Sequence, residues 1–425
     1  MKVNTSVIQE RLMKISRTLK ANKYLNSISE GLISLFPILM IGAIFTIFKS
    51  FPYEPYVNFM KETGLMEFVS IPVQLTTNMI AVYAAFAVSY KLAEHFEKDS
   101  MTAGILSLVS FFILTPLTVD EAGAAAISFS WTGAGGLFGA FIIAILVTRL
   151  FVFITDKNLV IKMPEGVPPT TVKAFLGLIP MFVTMVVVLL VRFIFSVTYF
   201  ESIHNFVYQI LQIPLSNLGN TFLVFLFLKV LGNVFWLFGI HGGLVMYAIA
   251  VPLWLSMDYA NLAAYGAQEK LPYILGYAFG MIYAQFCGTG NTIGLNIAML
   301  KAKSKRYRML GKLALPASIC GVNEPLIFGT PIILNPILAI PFLLNPIVSL
   351  LLAYVCTVAG ILPRLNGIFM FGLPIGVSGF VSGGWRVAVF QLILCVISYF
   401  MYFPFFKIID EQSYKEECMA DGGEK

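Results

Sequence analysis

Apolar side chains come in long charge-free runs separated by short charged stretches, at residues 31–48, 68–90, 100–119, 122–148, 174–191, 271–300 and 387–406. Each run supplies the roughly 20 apolar residues that a helix needs to cross a bilayer. Two further segments alternate at helical spacing. Ile8, Leu12, Ile15 and Leu19 recur between basic residues, and Ile203, Phe206, Ile210 and Ile213 recur among Ser202, His204, Asn205, Gln209 and Gln212. That pattern predicts amphipathic helices lying in the membrane surface.

The second half carries interruptions that plain spanning helices lack: Gly239, His241, Gly242 and Gly243; Gly288 and Gly290; Pro316; Asn323-Glu324-Pro325; and six glycines between Leu365 and Trp385. Glycine and proline at these densities predict broken or re-entrant segments, and non-helical backbone at membrane depth needs protein or a water-filled cavity around it. The predicted fold class is an all-α polytopic membrane protein. It has about ten transmembrane helices plus re-entrant hairpins and interfacial amphipathic helices. Residues 1–200 form the amino-terminal amphipathic helix and five transmembrane helices, 201–218 an interfacial linker helix, 219–410 a transport domain and 411–425 a tail. Whether residues 244–265 span or re-enter is left open.

Composition agrees with that class. Hydrophobic residues make up 58% and charged residues 12%, against roughly 45–50% and 25% in soluble domains. The net charge of +6 is concentrated in Lys2, Arg11, Lys14, Arg17, Lys20 and Lys23, and in Lys301, Lys303, Lys305, Arg306, Arg308 and Lys312. Such clusters mark the cytoplasmic side of a multi-pass protein and attract anionic membrane lipid. Both termini are thus expected in the cytoplasm, and no nucleic acid is implied. The five cysteines form no C-x-x-C pair, so neither a disulfide frame nor a metal site is expected. No cofactor is expected either.

Glu324 is the most informative residue. From Leu313 to Pro363 it is the one charged side chain, and a carboxylate at membrane depth costs several kcal/mol unless it pairs, lines water or meets a ligand. Pro325 cannot extend a helix arriving from the residues before it, so the backbone should break beside the acid. Lys229, Asn233 and Trp236 follow at spacings of four and three, on one helix face that ends near His241. Ammonium, amide, indole, imidazole and carboxylate together suit a sugar, whose hydroxyls need paired donors and acceptors and whose apolar face stacks on a ring. Structural readings stand beside these. Lys229 can be the counter-ion of Glu324, Glu324 a proton-coupling acid, His241 a satisfied imidazole, and Trp236 and Trp385 interfacial belt residues. His95 and His204 are expected in solvent, and Asp258 and Glu269 in loops.

The run Phe286-Cys287-Gly288-Thr289-Gly290-Asn291-Thr292, then Gly311-Lys312-Leu313-Ala314-Leu315-Pro316, then Gly321-Val322-Asn323-Glu324-Pro325-Leu326-Ile327-Phe328-Gly329, resembles the membrane C component of the sugar phosphotransferase system. The similar branch is that for lactose, cellobiose and diacetylchitobiose. Residues 236–242, WLFGIHG, resemble its histidine motif, and Gly383-Gly384-Trp385-Arg386 its late motif. The resemblance runs nearly end to end, beginning at Asn22-Lys23-Tyr24-Leu25. It implies a bacterial plasma-membrane permease that binds an extracellular disaccharide and carries it across. The sugar's C6 hydroxyl would then meet a phosphocysteine on the phosphorylated B component, a separate chain. It is therefore an enzyme only as the membrane subunit of a phosphotransferase complex. A homodimer is also implied, with the first five crossings at the interface. By motif, Glu324, Asn323 and His241 would bind the sugar, Glu324 as general base; Trp236, Gly288 and Trp385 would line the pocket, with Asn233 and Lys229 beside it. Cys287 stands where the family usually has a smaller residue, and Gly243 where a more polar one is common. A proton-coupled sugar symporter and a lipid-linked glycan flippase are the other classes that the residues allow.

Overall fold

The structure is a computed structural model that describes residues 10, 13–14, 17–18, 21–50, 54–119, 123–159, 169–330, 332–333 and 335–422. Ile8, Leu12, Ile15 and Leu19 of the predicted amino-terminal surface helix, and the acids Asp120 and Glu121, lie outside the described residues. Helices dominate. Among the described residues five are long and apolar enough to cross a membrane, or up to seven when each of two bent pairs counts as one span.

The chain folds as two compact units, one of Leu19–Leu218 with Val251–Lys270, the other of Met1–Thr18, Gly219–Ala250 and Leu271–Lys425. In the first unit the principal helices are α1 (Lys23–Ser34), α2 (Phe36–Lys49), α3 (Ile80–His95), α4 (Ser100–Leu114), α5 (Leu137–Asp156) and α6 (Pro169–Ser196). Small residues allow their close packing, as membrane helix contacts require. A Cβ on Gly31 of α1 would come within 2.9 Å of Val88 on α3, and one on Gly104 of α4 within 2.7 Å of the Phe86 ring. Buried hydroxyls join α3 to its neighbours. Ser89 donates to the Ala103 carbonyl at 2.9 Å and lies 2.7 Å from the Thr148 hydroxyl, while Ser107 donates to Ala85 at 2.8 Å.

The helical fold class holds, with a short hairpin in which β1 (Leu117–Val119) pairs antiparallel with β2 (Ala125–Ile127), Leu117 opposite Ile127. Two expectations change here. His204 is buried at 1% exposure rather than solvated. It sits 3.1 Å from the Thr115 hydroxyl, stacked on Trp131 at 5.5 Å. A side chain at position 139 would meet it, which is why glycine stands there. Asp258 is also buried, inside the helix Ser256–Gly266, not in a loop. Short mixed segments hide such burial because partners distant in sequence create it.

The second unit contains α7 (Phe222–Leu237), α8 (Tyr277–Ala284), α9 (Ile293–Met299), α10 (Lys305–Ile319), α11 (Glu324–Gly329), α12 (Pro336–Val358), α13 (Val377–Gly383) and α14 (Trp385–Gly422). The apolar run 271–300 is two short helices, not one span. Between them the chain turns through Gly288, Gly290 and Asn291 at φ values of +83°, +82° and +48°. Only glycine adopts that region freely, with asparagine the next most tolerant residue. The core of this unit joins Trp236, Leu295, Met299, Leu326, Leu338, Phe342, Tyr402 and Phe406. Thus α7, α9, α11, α12 and α14 share one apolar centre, and the breaks in the chain sit against it.

Candidate functional site

α10 ends at Ile319, the chain turns at Gly321 (φ +84°), and α11 begins at Glu324 with Pro325 in its first turn. The break predicted beside the acid is present. Asn323 caps α11 and is buried, donating from Nδ2 to the Thr289 carbonyl at 2.8 Å and to Thr292 Oγ1 at 2.7 Å. A Cβ on Gly288 would overlap the Asn323 carboxamide. The turn after α8 and the start of α11 therefore hold each other through Gly288, Asn323 and the two threonines, and Glu324 follows directly with its side chain exposed.

Trp236 and His241 form a second cluster. Trp236 is 5% exposed, its ring lies 4.4 Å from that of His241, and 6.4 Å from that of Phe328 on α11. Phe328 thereby ties this aromatic pair to the helix that begins with Glu324. The turn that delivers His241 passes Gly239 at φ +76°, and the contact of Gly242 with the Gly232 carbonyl leaves no room for a Cβ. Asn233 is buried on the same helix as Trp236. The Trp236 indole N–H is buried without a protein acceptor among the described residues.

Lys229 and Trp385 make other contacts. Lys229 donates to Gln285 Oε1 at 3.1 Å and packs over the Tyr277 ring at 5.5 Å. Trp385 is 66% exposed and lines a depression with Ile361, Leu362, Arg386, Val389, Phe390 and Ile393.

Several contributors carry no motif. Gln285 lines a cavity of about 90 Å³ with Phe286, Gly321, Val322, Phe369 and Phe371, beside the turn that leads to Asn323. Gln391 of α14 is fully buried; its Oε1 accepts from the amides of Gly376 and Gly379 at 2.9 and 3.0 Å, and its Nε2 donates to Ile282 at 2.9 Å. It fixes one wall of the cavity to the other. Ser398 donates to the Asn291 carbonyl at 2.7 Å and accepts from Gly294 N at 3.1 Å and Asn345 Nδ2 at 2.8 Å. Tyr402 donates to Gly290 at 2.8 Å. A single glutamine, serine or tyrosine in an apolar helix is the signal that could have found them, since polar groups there seek hydrogen-bond partners. Among the described residues no cluster of His, Cys, Asp and Glu could hold a metal ion.

An exposed carboxylate thus stands at a helix break in an apolar helical unit, beside the Gly288 turn, in a chain with several helices long and apolar enough to cross a membrane. The profile of the family described as "Phosphotransferase system, EIIC" matches residues 29–346, and the chain belongs to that family. It is 36% identical to the "Lichenan permease IIC component" of Bacillus subtilis (strain 168), across 98% of this chain and 95% of that one. Against the "PTS system cellobiose-specific EIIC component" of Geobacillus stearothermophilus it is 32% identical, across 97% and 95%. The crystal structure of ChbC, the IIC component of the N,N'-diacetylchitobiose-specific phosphotransferase system, superposes with a TM-score of 0.90 at 33% identity. That match covers 97% of this chain and 99% of that one.

Proposed function

We propose that this protein binds a β-linked disaccharide of the cellobiose or diacetylchitobiose type, translocates it and presents its C6 hydroxyl to a phosphocysteine on a separate B component. The observation that carries the reading is the exposed Glu324 carboxylate at the start of α11, held there by Asn323 and the Gly288 turn. The names of the relatives support the substrate class.

In the transfer, the phosphorus–sulfur bond of the donor breaks as the sugar's O6 bonds to phosphorus. The proton on O6 moves to Glu324. Phosphoryl transfer asks for positioning and charge stabilisation more than for covalent protein chemistry, so a carboxylate within reach of the hydroxyl is enough as base. Asn323 and His241 would hold hydroxyls, and Trp236 would supply a ring and an indole donor. The full reading has about ten crossings, both termini in the cytoplasm and a homodimer joined through the first five crossings.

The test uses sealed vesicles and labelled cellobiose or diacetylchitobiose. Sugar 6-phosphate should accumulate only when phosphorylated B component is supplied on the cytoplasmic side. Accumulation of free sugar driven by a proton gradient would assign a symporter instead.

A further inference from the structure

The basic stretch 301–312 is held in an unusual way. α14 runs beyond the apolar stretch that ends at Phe406 and carries Asp410, Glu411 and Glu417. Acids opposite a basic loop are expected to neutralise its side chains. Here Glu411 pairs with the Lys303 ammonium at 3.7 Å, whereas Asp410 and Glu417 take the main chain. Asp410, 7% exposed, accepts from Lys303 N at 2.9 Å and Ser304 N at 3.0 Å. Glu417 accepts from Ser304 Oγ at 2.6 Å, Lys305 N at 2.8 Å and Arg306 N at 3.1 Å.

These bonds satisfy amides at the start of α10 that lack partners within the helix. The Ser304 hydroxyl accepts from Tyr307 N at 3.3 Å. Below, buried Tyr307 packs on Phe406 of α14 with ring centroids 5.7 Å apart. Arg308 folds back on the Ala302 carbonyl through Nε and Nη2 at 2.9 and 2.6 Å. The backbone of a lysine-rich loop is thus fixed by carboxylates, while Lys301, Lys305, Arg306 and Lys312 stay exposed.

We propose that residues 301–312 form a preset docking surface for an acidic face of the phosphoryl-carrying partner protein, with Asp410 and Glu417 as positioning residues that fix its shape. The proposal rests on the group-translocation reading. A lipid surface needs basic charge alone and gains nothing from a fixed backbone. Group transfer between two proteins needs defined register, and complementary charge at an interface supplies register and encounter rate. The fixed backbone therefore favours a protein over a membrane as the occupant.

The test measures phosphorylation rate against the concentration of phosphorylated B component, with the full chain in vesicles at two salt concentrations. Labelled-disaccharide binding to each variant runs in parallel as a control of folding. Arg306→Glu with Lys312→Glu should raise the KM for the B component about tenfold, leave sugar binding unchanged and flatten the salt dependence. Glu417→Ala is the decisive variant. It makes the region more positive, so attraction by charge alone would lower that KM, whereas loss of positioning should raise it severalfold; Asp410→Asn should act in the same direction. A KM lowered or unchanged in both carboxylate variants overturns the proposal, and so does an unchanged KM in the charge-reversal variant. An acid-variant effect that disappears when anionic lipid is left out of the vesicles overturns it in favour of a lipid site. Absence of sugar 6-phosphate with the unaltered chain would instead reject the transport reading itself.

Discussion

Replacing Gly288 by alanine tests the turn that positions the acid. At φ +83° an L side chain meets its own following carbonyl, a strain of about 1–2 kcal/mol. The new methyl would also overlap the Asn323 carboxamide, which lies against Gly288 and donates to Thr289 and Thr292. Displacing Asn323 forfeits two hydrogen bonds of about 1 kcal/mol each. The sum is about 3–4 kcal/mol set against the conformation that carries Glu324. If sugar binds that conformation, affinity should fall by about 100- to 1,000-fold, since 1.4 kcal/mol is a factor of ten. The assay is equilibrium binding of labelled disaccharide to purified protein, with helical content measured in parallel. Affinity within twofold of the unaltered protein, in a folded variant, would refute the reasoning.

Three further outcomes follow from the same geometry. Ser398→Ala leaves the buried Gly294 amide and the Asn345 carboxamide without their acceptor, so stability should drop by about 1–3 kcal/mol, visible as a lower thermal unfolding midpoint in detergent. Gln391→Leu removes the acceptor of the Gly376 and Gly379 amides; hydrogen exchange at those amides should accelerate at least tenfold, and unchanged exchange would exclude the bracing role. Trp236→Phe keeps the ring beside His241 but deletes an indole N–H that has no protein acceptor among the described residues. Disaccharide affinity should fall about tenfold, one hydrogen bond's worth, with thermal stability unchanged.

Much of the membrane fold was legible because bilayer crossing is a compositional demand, met by uninterrupted apolar runs such as 122–148 and 387–406. The turns near Gly288, Gly290 and Pro325 were legible because glycine and proline restrict what the backbone does there. The run 271–300 misled as a length count, since its glycines and Asn291 split it into α8 and α9. His204 misled for another reason: its burial comes from partners such as Thr115 and Trp131, far away in sequence. Among the site residues, Asn323, Glu324 and Gly288 come together, as do Trp236 and His241, whereas Gln285, Gln391 and Ser398 carry no motif and were missed. Lys229 found Gln285 by a contact that helical spacing alone does not encode.

The most direct measurement is product formation by Glu324→Gln in vesicles supplied with phosphorylated B component and labelled disaccharide. The substitution keeps size and one acceptor oxygen, exchanges the other for an amide donor, and removes the charge and the base. Sugar 6-phosphate should fall by at least about 100-fold, the usual contribution of a positioned acid–base group, while the protein still inserts in the membrane. Product formed at a near-normal rate would contradict the account at its centre.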